Sequence, residues 1–183
     1  CRLPSLGYLA RSRRGQSEVP ADHWALLATE RVMRHISELG DSAAATPRQL
    51  IEHAGQICNA MLGELEDAGI ARRSAAFGSF DSRGHTTATA TRLEGLQATL
   101  AVLPADHPLR PRIRAAVQNG VAFLQRMQIA GGELDGAMVR ALYQETQRPD
   151  SRFNRRAREV RIDYVQHALS AWLVFGAARR AQR

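Results

Sequence analysis

The chain contains no lysine: all 25 of its basic residues are arginine, set against 18 acidic residues for a net charge of +7. Together with abundant alanine, this is the mark of a GC-rich coding bias more than of a surface selected for charge. A nucleic-acid face usually mixes Lys with Arg and adds aromatic residues for stacking. Aromatics make up only 5% of this chain and are not interleaved with the arginines, so nucleic acid is not the expected partner. Cysteine is scarce too. Cys1 and Cys58 are the only two, too few for a structural zinc site. Cys58 lies in a helical apolar pattern and reads as a small core residue. No apolar run approaches the ~20 residues of a membrane span, and the longest, Ala171 to Phe175, has the length of a buried helix segment. There is no Gly-rich phosphate loop, no Gly-x-Ser-x-Gly elbow and no Cys–His signature. No metal or cofactor is expected. Strand patterns of quality are absent as well.

What remains is ordinary for one globular domain: 183 residues, 44% hydrophobic and 23% charged. The chain begins Cys1-Arg2-Leu3-Pro4, which leaves two readings open. It is a fragment boundary, or the start of a mature lipoprotein. Arg2 and the lack of a polar tether favour the first, and the compartment, cytoplasm or cell envelope, stays open. Residues 1–21 show little periodicity and are expected to be irregular, with residues 22–183 forming the helical domain.

Helices follow in series. Asp22 is a good N-cap for a helix carrying Ala25, Ala28, Val32, Ile36 and Leu39, ended by Gly40. Thr46, Pro47 and Gln49 form a capping box and proline start for a second helix with Leu50, Ala54, Ile57, Met61 and Leu65, ending near Gly69. A Gly-, Ser- and Arg-rich connection follows, with Phe77-Gly78-Ser79-Phe80 inside it. A third helix runs from about Thr86 to before Pro104, with Leu93, Leu96, Leu100 and Leu103 on its core face. A fourth begins with Asp106 and Pro108. Met138 to Tyr143 reads as a short helical piece and Arg148 to Arg158 as an exposed loop. The last helix, about Arg161 to Arg180, offers Ile162, Val165, Leu169, Trp172 or Leu173, and Gly176 as its apolar stripe. The fold class is therefore all-α, built of antiparallel helical hairpins.

Three helix starts carry polar residues in place of apolar ones: Asp22-His23-Trp24, His85 through Glu94, and Arg161-Ile162-Asp163 with Gln166-His167. In an antiparallel array they gather at one end as a polar rim. Asp163 and His167 have one-turn spacing, which would orient the imidazole for acid–base work or simply make a buried hydrogen-bonded pair. Arg92 and Glu94 cannot face each other and reach for neighbouring helices, as structural ion pairs or as a binding arginine and an acid–base carboxylate. Thr91 and Gln166 add small polar contacts. Trp24 packs under the rim or stacks on a sugar ring. A metal site from Asp22, His23, Asp163 and His167 lacks any short ligand motif.

The strings Asp22-His23-Trp24-Ala25-Leu26, Thr87 through Leu96 and Arg161 through Ala171 resemble a bacterial group of α/α-toroid proteins, itself similar to the six-hairpin glycosidase-like and terpenoid-cyclase-like toroids. The resemblance covers roughly residues 20–178. It implies that the helices form part of an α/α toroid. A full toroid needs about twice as many helices, so the chain is expected to be a C-terminal half whose partner is the upstream half. It also implies a carbohydrate ligand and hydrolase, lyase or epimerase chemistry, by analogy of fold. Asp163, Glu94 and His167 would then be catalytic, and Arg92, His23, Trp24, Thr91 and Gln166 would bind the ligand. The alternative is a non-catalytic binding or protein-interaction scaffold of the same fold.

Overall fold

The computed structural model describes residues 3–16, 18–39 and 45–180. Among these residues there are eight helices and no strand. The first, α1 (Leu3–Ser12), lies where an irregular segment was expected. Leu6 and Ala10 are its buried apolar side chains among the described residues. Two apolar positions four apart are too few to register as a period, and so short a helix exists because it packs, here on α4.

Helix α2 (His23–Arg34) starts on Asp22, whose Oδ1 accepts from the Ala25 N–H at 3.1 Å. It stops at His35 and resumes as the single turn α3 (Ile36–Leu39). Gly40, the expected terminator, lies outside the described residues. Helix α4 (Pro47–Asp67) carries the full capping box: Thr46 Oγ1 accepts from Gln49 N at 3.3 Å, and Gln49 Oε1 accepts from Thr46 N at 2.9 Å. It closes before Gly69, whose φ of +57° suits a residue without a Cβ.

Helix α5 (Thr86–Val102) is the hub, packed against α2, α4, α6 (Leu109–Arg126) and α8 (Ile162–Arg180). Its expected core residues Leu93, Leu96 and Leu103 are buried, but so are Thr86, Thr89, Thr91, Glu94, Gln97 and Thr99. A helix covered on every side hides its polar face too. Arg92 of α5 meets Glu64 near the end of α4, so those helices run antiparallel once the Cys58–Thr99 contact is added. Arg110 at the start of α6 donates to Leu100 O and Leu103 O at the end of α5 (2.8 and 2.7 Å), again antiparallel. Helix α8 runs parallel to α5, since Glu94 meets His167 and Gln97 Nε2 donates to Ala171 O at 3.1 Å. Gly95 allows α2 in close: a Cβ there would sit 3.0 Å from Leu26 Cδ1 and 3.1 Å from His23 Cβ.

Two loops differ from expectation. Met138–Tyr143 is extended, not helical, and makes the isolated bridges Gln128↔Met138, Val139↔Val160 and His85↔Ala141. Its backbone finds partners in three distant segments, which outweighs local helix propensity. Conversely, the Arg-rich stretch holds a short helix, α7 (Arg152–Ala157), capped by Ser151. Buried Asn154 anchors it by donating to the carbonyls of Gln144, Gln147 and Arg148.

Helix α8 is rotated from the expected orientation, keeping Val165 and Trp172 of the expected stripe packed on the core but turning Ile162 and Leu169 outward. Tyr164, Ala168 and Ala171 go inward, while Ile162 and Leu173 are 82% and 62% exposed and Leu169 is exposed too. Both faces are apolar, so periodicity alone does not choose. The alanines let α8 approach α5 closely enough for Gln97 to reach the Ala171 carbonyl.

Candidate functional site

The rim forms, but with different partners. His167 Nδ1 lies 3.0 Å from Glu94 Oε2, bridging α8 and α5, with side chains only 16% and 8% exposed. A carboxylate on Nδ1 fixes the ring's orientation and its tautomer, leaving Nε2 to accept a proton in the neutral form. His23 stands beside the pair, its ring edge-on to His167 with centroids 6.3 Å apart. Its Nε2 is buried with no hydrogen-bond partner among the described residues. Burial pushes the His23 pKa down; Glu94 opposes this, and His167 and Arg92 add to it. His23 is thus held toward its neutral form. Trp24 tilts against His23 at 4.7 Å between centroids and presents a ring that is 64% exposed.

The remaining rim candidates are elsewhere. Asp163 does not meet His167; it pairs with Arg161 at 3.0 Å on the surface. Their one-turn spacing is real, but His167 turns inward to Glu94 while Asp163 turns outward to Arg161. Arg92 does not serve Glu94. Its Nε and Nη2 both donate to Glu64 Oε2 on α4, at 3.1 and 3.0 Å. Thr91 Oγ1 donates back to Thr87 O and Ala88 O within its own helix. Gln166 is exposed, and Asp22 is occupied as a cap. Neither of two surface grooves includes the dyad: one of about 490 Å³ lies by His53, Gln56 and His107, and one of about 870 Å³ lies between α5, α6 and the end of α8. Among the described residues no cluster of three or more His, Cys, Asp or Glu is placed to hold a metal ion. Nor is any helix there long and apolar enough to cross a membrane.

A second imidazole–carboxylate pair went unforeseen. Asp81 Oδ1 lies 2.9 Å from His85 Nδ1 and accepts from the Arg83 N–H at 2.9 Å, while Oδ2 accepts from the His85 N–H at 3.3 Å. The His85 ring stands edge-on to Phe153 of α7, 5.6 Å away. The Asp-x-x-x-His spacing before a helix start was a readable signal for the pair; Phe153 was not, being far along the chain.

No family model, curated protein or solved structure matches this chain.

Proposed function

We propose that the chain is a segment of an α/α toroid that takes a carbohydrate at the Glu94–His167 rim and uses His167 as a general base. The inter-helix contact between His167 Nδ1 and Glu94 Oε2 is the observation that carries this. A base oriented by a buried carboxylate suits removal of a proton from substrate. The exposed Trp24 ring beside His23 offers a stacking platform of the kind sugars use. Parallel α5 and α8, with α4 and α6 antiparallel to α5, agree with a layered helical array. Asp163 stands apart on Arg161, so the pair of carboxylates that glycoside hydrolysis ordinarily requires is not assembled. Epimerase or lyase chemistry, which needs one good base, fits the dyad better than hydrolysis.

The exposed apolar face of α8 favours the second reading, a non-catalytic interaction scaffold in which the dyad only joins two helices. A panel of sugars and uronates, followed by NMR for turnover and binding, separates them. In the first reading Glu94→Gln and His167→Gln lower turnover by ~100-fold or more, Trp24→Ala weakens binding, and Asp163→Asn changes neither. Turnover unaffected by the dyad variants, or none with any sugar, sinks it and leaves the scaffold.

A further inference from the structure

The Asp81–His85 loop, the extended segment at Arg140 and helix α7 converge on the Phe153 ring. The guanidinium of Arg83 lies 5.6 Å from the ring centroid, that of Arg140 5.5 Å, and the His85 ring 5.6 Å edge-on. The two guanidiniums are therefore within about 11 Å of each other. Among the described residues neither makes an ion pair or a side-chain hydrogen bond, whereas Arg92, Arg112, Arg148, Arg156 and Arg161 each hold a carboxylate. The acid close by, Asp81, is engaged through both oxygens with His85 and the loop backbone. It shapes the loop and is not bonded to either guanidinium. His85 is also the N-cap residue of α5 and gives it no side-chain cap, while the N–H of buried Thr86, the first residue of the helix, is taken by the Arg140 carbonyl.

We propose that Arg83 and Arg140 form a binding site for the phosphate group of a small ligand, with Phe153 as the surface that holds both guanidiniums in position. Fork-shaped guanidinium donors match a phosphate, offering parallel N–H groups to its oxygens. The backbone fixes the three pieces: Thr86 N donates to Arg140 O and Leu142 N to Gly84 O, at 2.9 and 3.1 Å. Residues 140–161 hold seven arginines against three acids, yet Arg148, Arg156 and Arg161 are already neutralised by Asp150, Glu159 and Asp163. That breaks up a continuous track for a polymer and favours a compact anion. The site is separate from the Glu94 dyad, which lies nine residues, about 13 Å, further along α5.

Calorimetric titration of the full chain with inorganic phosphate and pyrophosphate at low salt tests this. Saturable binding is expected, weakened at least tenfold by Arg83→Gln or Arg140→Gln and by Phe153→Leu, which keeps both charges but removes their support. Arg152→Gln removes the same charge from exposed α7 and is expected to leave affinity within twofold. Thermal unfolding of each variant confirms that it is folded. No binding at millimolar phosphate overturns the proposal, as does equal weakening by Arg152→Gln, which would mean diffuse charge alone. A DNA duplex that binds far more tightly than pyrophosphate, with a steep salt dependence, would also overturn it in favour of a polymer surface.

Discussion

Glu94 and His167 meet at 3.0 Å although 73 residues separate them, while Asp163, one turn before His167, turns outward to Arg161. The buried pair ties α5 to α8, and the exposed pair ties nothing. Glu94→Gln is expected to cost about 1–3 kcal/mol, because it removes the charge from a buried hydrogen-bonded contact. Asp163→Asn should stay within about 0.5 kcal/mol. Urea denaturation midpoints compare the two, and equal losses would contradict this division of roles.

Gly95 sets the approach of α2 to α5, since its Cβ would press on Leu26 and on the Cα of His23, 3.2 Å away. Gly95→Ala is expected to destabilise by about 1–3 kcal/mol. Gly63, on α4, has nothing within 4 Å of an added Cβ. Gly63→Ala should stabilise by about 0.4–1 kcal/mol through the unfolded chain. Opposite shifts in melting temperature are the signature to look for.

His53 is 1% exposed, and burial, with Arg13 as a further like charge, pushes its pKa below the ordinary value. Its Nε2 lies 3.5 Å from Arg13 Nη1. Because the unfolded chain binds the proton more readily, stability is complete above about pH 6.5. It falls as pH drops below that value toward the lowered native pKa. His23 contributes in the same direction. Melting temperatures from pH 8 to pH 5 should decline, and His53→Gln should flatten the decline. An unchanged slope in that variant would exclude His53 as a source.

Burial pushes the Cys58 thiol up to about 11. Roughly one thiol in a thousand is then ionised at pH 8. Iodoacetamide at pH 8 should leave the Cys58 peptide unmodified in native protein and label it fully in guanidinium, read by peptide mass mapping. Fast native labelling would mean that the α4–α5 contact opens readily.

The rotated face of α8 gives a direct contrast. Leu173→Arg is expected to change stability by less than about 0.5 kcal/mol. Ala168→Leu adds volume at a fully buried position and should cost about 1–3 kcal/mol. The hydrophobic pattern read alone leaves Trp172 and Leu173 as alternatives, and the structure packs Trp172 while Leu173 stays exposed.

The sequence by itself determined where the principal helices begin and end. Asp22, the Thr46–Gln49 box and the stop before Pro104 act within three or four residues, so their chemistry is complete in the local chain. The gathering of His23, Glu94 and His167 at one rim was legible too, from polar residues at the helix starts. Tertiary structure alone decided which carboxylate His167 takes, which face of α8 is buried, that residues 138–143 extend, and that Phe153 collects two arginines. Each of these is a choice between local options of similar energy. Asp163 and Glu94 are both carboxylates, and both faces of α8 are apolar. The decision falls to close approach against α5, which is a property of segments far apart in the chain.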